Sequence, residues 1–424
     1  MSKLVNHRTL NALAAVLLAA IVLGSMSPAV SDWLRWPKAK DDVPVLDDAG
    51  ATASSVEATV NAYNGFAFDL YRRYGAGDGN ILFSPYSIST ALSMTYEGAR
   101  GLTAEEMEEV FGFLEDPSAR LPTVARIYNT LNGKDREYAL HTVNALWMQQ
   151  GYNVLEEYVD AITGYYGGEA NVLDFVAKPE ESRLTINDWV EERTSDRIKD
   201  LFPEGSIDSA VRLVLTNAIY FKGDWLYAFD EEATSVEDFH VSPSTAVEAD
   251  MMSLHGSFNY LEADGFQLLE LPYAGGDVSM LLLLPEEGSM GEVEARLSAE
   301  WLDEWVALME EAEVDVYLPR FSFETKYFMA EDLAEMGMPM AFTGEADFSG
   351  MTGTRGLYID MVIHQAFIEV NEEGTEAAAA TGVSMRLTAA PPGEVFRADR
   401  PFVFLIRDVE TGLVMFMGRV SDPS

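Results

Sequence analysis

Residues 370–383 read Val370-Asn-Glu-Glu-Gly-Thr-Glu-Ala-Ala-Ala-Ala-Thr-Gly-Val383, and this stretch decides how the chain is understood. Alone, Glu376–Ala380 suits a turn of helix or a pliable linker, because alanine has the highest helix propensity. Its surroundings argue otherwise. A strand-like run, Ala366–Val370, leads into it, and another begins at Pro401. About thirty loop-like residues therefore separate two strands, and inside a compact domain such long loops are functional or disordered.

The neighbouring pattern supports a large domain. Apolar, strand-like runs occupy Arg212–Phe221, Val278–Leu284, Val314–Phe323, Phe367–Val370, Pro401–Ile406 and Leu413–Val420. Toward the amino end, Val60, Tyr63, Ala67, Leu70, Tyr71 and Tyr74 fall at helical spacing, and Gly75–Asn80 stops that helix. The spacing predicts further helices over Ser87–Tyr96, Thr103–Phe111, Leu155–Tyr166, Glu180–Ile198 and Gly291–Met309. Helices crowd the first half and strands the second, which predicts an α+β fold with large, mainly antiparallel sheets. No internal repeat or second linker interrupts 57–424, so this region reads as one domain.

Composition narrows the function. The chain has 424 residues, 48% of them apolar, with 70 Asp plus Glu against 28 Lys plus Arg and a formal charge of −42. Only 8 of the basic residues are lysine. Such a surface repels phosphates and anionic lipid headgroups, which argues against nucleic acid and against electrostatic membrane binding. Self-repulsion of this size is relieved by screening, with a Debye length of about 8 Å at 0.15 M salt. That points to saline, halophilic surroundings; an ordinary acidic secreted protein is the alternative. There is no cysteine, which removes disulfides, thiolate metal sites and a cysteine nucleophile together.

At the amino end, Lys3, His7 and Arg8 precede the apolar run Leu10–Leu23, and Ala29 and Ser31 are spaced as at a leader-peptidase site. Residues 1–31 are read as a secretory signal peptide or, if retained, a membrane anchor. The run is shorter than the roughly 20 residues of a spanning helix. Residues 32–56, with Pro37, Pro44 and paired Asp residues, are read as a flexible linker. Both alternatives place the folded region outside the cytoplasm, secreted or tethered.

Signatures of catalysis are absent from the sequence pattern. His7, His141, His240, His255 and His364 are scattered without metal-ligand spacing, and there is no Gly-x-Ser-x-Gly elbow. Gly75-Ala-Gly-Asp-Gly79 follows a helix and precedes an apolar run, the reverse of the order a phosphate loop needs. The sequence therefore implies no enzyme, no cofactor and no metal.

Four ordered segments resemble the serpins, and the resemblance spans essentially all of 57–424. Asn80-Ile-Leu-Phe-Ser-Pro-Tyr-Ser87, continuing to Gly98-Ala-Arg-Gly-Leu-Thr103, is similar to that family's second helix and the segment after it. Thr216-Asn-Ala-Ile-Tyr-Phe-Lys-Gly-Asp-Trp225 resembles its signature strand. His364–Thr381 resembles the strand and hinge before the reactive loop, and Pro401–Arg407 with Phe416–Arg419 the closing strands.

The resemblance implies a serpin fold, with about eight or nine helices around large sheets and an exposed reactive-centre loop over about 372–396. It implies a monomeric suicide inhibitor of a serine protease, with the cut loop inserting into the main sheet while the protease is held as an acyl complex. The hinge is then Glu372, Gly374, Thr375, Glu376, Ala377, Ala378, Ala379, Ala380 and Thr381. Thr375, Ala377, Ala379 and Thr381 would face inward together with Val383, and small groups there avoid overpacking. A cluster at Ser84, Ser87, Asn217 and His364 would lie under the centre of the sheet, with Trp225 and Glu372 where the loop first enters. Family spacing from Gly374 puts the cut bond at Thr388–Ala389, with Leu387–Thr388 and Arg386–Leu387 as shorter registers. Thr388 suits elastase- or subtilisin-like proteases, Leu387 chymotrypsin-like ones and Arg386 trypsin-like ones. A non-inhibitory serpin, cleaved as a substrate or acting as a binding module, is the competing reading.

Overall fold

A computed structural model of the chain describes residues 44–133, 136–194, 196–375 and 393–424. Helices α1 (Ala53–Gly75), α2 (Pro85–Tyr96), α3 (Leu102–Phe111), α4 (Pro117–Leu131), α5 (Glu156–Ala161) and α6 (Pro179–Arg193) precede most of the strands. Helices α7 (Met290–Glu294), α8 (Ala299–Val306), α9 (Ala330–Met336) and α10 (Ser349–Thr352) follow. The strands begin with β1 (Ile81–Phe83), β2 (Ala139–Gln149), β3 (Glu169–Leu173), β4 (Leu213–Asp224) and β5 (Ser235–Ser242). Next come β6 (Thr245–Ala263), β7 (Phe266–Pro272), β8 (Val278–Pro285), β9 (Glu310–Pro319) and β10 (Phe321–Phe328). Last are β11 (Met361–Val370), β12 (Gly374–Thr375), β13 (Glu394–Arg397), β14 (Phe402–Asp408) and β15 (Val414–Val420).

Two sheets form the body, as the predicted α+β class requires. A nine-stranded sheet runs β1-β15-β14-β8-β7-β6-β9-β13, with β5 on β6. A six-stranded sheet runs β10-β11-β12-β4-β2-β3. Helix α2 lies between them against β15, β4 and β2. Ser84 caps it and Pro85 opens its first turn, where a missing N–H costs nothing. All twelve of its residues are buried, as a helix covered on every side demands.

The six-stranded sheet carries one unusual seam. Met361–Ala366 of β11 pairs in parallel with Val214–Ile219 of β4, between antiparallel neighbours on either side. Beyond Ala366 the two strands part, and β12 lies between them, antiparallel to both. Helix α6 covers this region, with Ile186 and Val190 packing among Trp147, Val214, Ala218 and Ile363. The seam is thus clad on both faces.

Several boundaries differ from the sequence expectation for local reasons. The run Val314–Phe323 divides at Arg320, so that β9 joins one sheet and β10 the other. Gly291–Met309 divides into α7 and α8 because the Ser298 hydroxyl accepts the Trp301 N–H at 3.1 Å and starts a new helix. Helix α6 ends at Arg193 rather than Ile198, close to Asp196 and Asp200, which adopt left-handed φ of 62° and 48°. Helix α1 begins at Ala53, where Thr52 and Ser55 form a capping box, well ahead of Val60, the first residue at helical spacing. Of the linker expected over 32–56, residues 32–43 lie outside the described residues. Just after them Leu46 is buried, its N–H and carbonyl held by the Asn129 amide at 2.9 and 3.0 Å. The Gly75–Gly79 loop turns carbonyls inward: Arg419 donates to the carbonyls of Gly75, Gly77 and Gly79 at 3.2, 2.6 and 3.0 Å. Oxygens gripping a cation are the opposite of a phosphate cradle.

The segment 1–31, expected to be a signal peptide or membrane anchor, lies outside the described residues. Among the described residues no helix is long and apolar enough to cross a membrane, and no acidic or histidine cluster is placed to hold a metal ion.

Candidate functional site

The seam between β4 and β11 has two polar stations, one at its mouth and one at its middle. At the mouth the chain leaves β11 at Val370, turns through Asn371, Glu372 and Glu373, and returns as β12. The side-chain oxygen of Asn371 accepts the N–H groups of Glu373 and Gly374 at 3.0 and 3.2 Å, which closes the turn. Gly374 faces Asp224 and Thr375 faces Gly223 on one side, while Thr375 faces Val370 on the other. A Cβ at Gly374 would lie 2.1 Å from the Gly223 carbonyl oxygen, so glycine is needed here for close approach.

Trp225 anchors the turn from the side. Its backbone N–H donates to the Glu373 carbonyl at 2.8 Å and its indole N–H to the Asn371 carbonyl at 3.0 Å. Its ring stacks on Tyr273 with centroids 4.5 Å apart. The Tyr273 hydroxyl in turn lies 2.6 Å from the Thr375 hydroxyl, both residues being buried. Glu372 is buried in the turn and grips Arg320, with Nε–oxygen distances of 2.8 and 2.7 Å, and it accepts the Thr234 hydroxyl. Burial opposes the charge on Glu372, but Arg320 and Thr234 outweigh it and hold the carboxyl below its ordinary range.

At the middle, His364 and Asn217 face each other across the parallel ladder. His364 Nε2 accepts the Ser84 N–H at 3.0 Å, so the ring proton sits on Nδ1 and is donated to the Asn217 side-chain oxygen. The Asn217 amide donates to Ser87 Oγ and to Asn144 Oδ1, each at 2.6 Å. Ser84 Oγ donates to the Met415 carbonyl at 2.5 Å, tying the cluster to β15. Complete burial drives the His364 pKa down from 6.5 to about 3, so the ring is neutral.

The structure therefore brings Ser84, Ser87, Asn217 and His364 into one network, and sets Trp225, Glu372, Gly374 and Thr375 together at the mouth. Glu376, Ala377, Ala378, Ala379, Ala380 and Thr381 lie outside the described residues, as do Arg386, Leu387, Thr388 and Ala389. Tyr273, Arg320, Thr234, Asn371 and Asn144 belong to the two stations and were not foreseen. Asn371 stood inside the quoted stretch and is a natural turn former. The others sit tens to hundreds of residues from the hinge and carried no local signal.

The chain that carries these two stations matches a known family. The sequence pattern of the serpin (serine protease inhibitor) family covers residues 61–423. This chain belongs to the serpin family. Among its relatives, a serpin-like protein of Thermococcus kodakarensis is 44% identical over 86% of this chain and 85% of its own. Human Serpin B3 is 40% identical over 84% of this chain and 97% of its own length. Among solved structures, human thyroxine-binding globulin complexed with thyroxine superposes with a TM-score of 0.80 at 30% identity, over 87% of this chain and all of that one. The serpin fold is thereby established together with the inhibitor family it defines.

Proposed function

We propose that this serpin acts outside the cytoplasm and inhibits a serine protease by covalent trapping, its loop being cut at Thr388–Ala389 and inserted between β4 and β11. The observation that carries the reading is the register at the mouth. Each step along the hinge beyond Thr375 is one step back along β4 and along β11. Six steps from the Thr375–Gly223 pair bring Thr381 opposite Asn217, and six from Thr375–Val370 bring it opposite His364. Those two residues already pair with each other. One incoming strand thus fits both sides at once, and only small side chains, Ala377 and Ala379, precede Thr381 on the inward face.

The driving force comes from the sheet. Insertion would replace one parallel ladder of six residue pairs by two antiparallel ladders, which are the more stable per residue. It also buries the small apolar groups of the hinge. The protease serine attacks the carbonyl of residue 388, the peptide bond to Ala389 breaks, and the freed amine leaves with the downstream segment. The acyl ester then travels with the inserting strand, at about 3.3 Å per residue, faster than water can release it.

Incubation with elastase, subtilisin, chymotrypsin and trypsin tests this on denaturing gels. A stable band at the summed mass is expected, and mass spectrometry of the released peptide should begin at Ala389. Clean cleavage without that band is the result expected of a substrate or binding serpin and would overturn the inhibitory reading.

A further inference from the structure

We infer that Tyr273 is a positioning residue for strand insertion: its hydroxyl holds Thr375 threaded in the uncleaved protein and so sets the register in which the rest of the loop enters. The inference rests on the inhibitory reading above and assigns a role to a residue outside both the hinge and the strands that flank it.

Tyr273 follows β7 and belongs to the turn that leads into β8 of the other sheet. It is fully buried and fixed from several directions. Its backbone N–H donates to the Val278 carbonyl at 3.0 Å. Its ring stacks on Trp225 and meets Phe221 edge-on with centroids 5.0 Å apart. Burial raises its phenol well above the ordinary value, so the hydroxyl keeps its proton. The group that meets Thr375 at 2.6 Å is therefore a rigid post and not a mobile side chain.

A fixed post matters because side chains on a strand alternate with a period of two. A slip of one residue would turn Ala377 outward and carry the Glu376 carboxylate toward the interior, where an unpaired charge is costly. Gly223 and Gly374 let two backbones approach at this point but do not select between registers, since glycine has no side chain to place. The Thr375–Tyr273 contact does select, because the hydroxyl of Thr375 reaches the post only when that residue faces inward. The molecule waits with two residues already paired, and the costly first contacts of a new strand precede cleavage. After the cut, insertion extends an existing strand in a race against deacylation.

The test uses the full chain and subtilisin as the probe protease, comparing wild type with Tyr273→Phe, Thr375→Val and Thr375→Ser. Tyr273→Phe keeps the ring and its stacking and removes only the hydroxyl. The net worth of one hydrogen bond predicts a stoichiometry of inhibition about three- to tenfold higher for Tyr273→Phe and Thr375→Val. Bait cleavage should be no slower, and Thr375→Ser should stay near wild type. Hydrogen exchange of the amides of 371–375, read by mass spectrometry without protease, should quicken by a similar factor in the first two variants. Unchanged exchange overturns the latch. Faster exchange with unchanged stoichiometry overturns the positioning role, since the contact then only satisfies a buried hydroxyl. If wild type is cleaved without forming a complex, the inhibitory reading fails, while the exchange data still decide whether Tyr273 holds the hinge. Should Tyr273→Phe not fold, the Val and Ser pair at Thr375 gives the same comparison.

Discussion

Strands β14 and β15 cross the nine-stranded sheet with every residue buried, antiparallel to each other and, through β14, to β8. Strands β4 and β11 are almost as deeply buried in the six-stranded sheet, yet they meet in a parallel ladder of six residue pairs. What fills the space around them also differs. β14 packs Phe404 and Leu405 against neighbours such as Leu281 and Leu282 of β8. The middle of the β4–β11 seam instead rests on His364, Asn217, Asn144 and Ser84. Interlocked apolar shapes fit only one partner, because interiors are packed as densely as organic crystals. Hydrogen-bonded amides and hydroxyls can exchange one partner for another without leaving a void. On the inhibitory reading proposed above, one sheet stays closed and the other accepts a further strand.

The largest expected effect tests the asymmetry at the mouth. Thr375→Arg would place an unpaired charge in a buried position, which costs several kcal/mol, and complex formation should fall about a hundredfold or more while cleavage continues. Retained trapping on a denaturing gel would break the comparison. Next in size, Leu282→Ala in the closed sheet should destabilise the uncleaved protein by about 2–5 kcal/mol in denaturant melts. Its stoichiometry of inhibition should not change, because no strand enters there. A more gradual, pH-dependent effect belongs to His364. Its folded pKa lies near 3 and its ordinary value is 6.5, so in that window the unfolded chain binds a proton that the native one refuses. Stability should therefore be constant above that window and be lost as the pH falls through it, by up to about 1.4 kcal/mol per pH unit. His364→Gln should show a correspondingly shallower acid limb; an identical limb in both proteins would remove His364 from the account. The smallest effect is expected at Arg320, which is partly exposed. Arg320→Gln should leave the Glu372 carboxylate short of a partner and lower stability by about 1 kcal/mol, with faster exchange at 371–375.

Much of the closed sheet was legible in the sequence, because runs such as Val278–Leu284 and Leu413–Val420 are apolar nearly throughout and have little choice but to be buried strands. The hinge expectation rests on another kind of signal, a string of small residues between two strands, and of that string the structure describes only Gly374 and Thr375. Strand β2 was not predicted, since Ala139–Gln149 mixes His141, Thr142 and Asn144 with apolar residues and shows neither helical nor strict alternate spacing. Its Asn144 makes sense only beside Asn217. Arg320 escaped in a similar way, as a charge inside an apolar run that turned out to be the corner between two sheets. Tyr273 gave no signal at all, because its meaning lies in a contact made 102 residues along the chain. The structure uses Gly374 for its lack of a Cβ, a need that only the facing Gly223 carbonyl reveals. Local pattern shows where a strand is; it does not show which distant strand it will face.

The most direct measurement is a crystal structure of the protein nicked at its loop. The account predicts a new strand between β4 and β11, with Thr381 standing between Asn217 and His364 and the cut end carried past the far end of β4. A nicked protein in which His364 and Asn217 still face each other across an unbroken parallel ladder would contradict it.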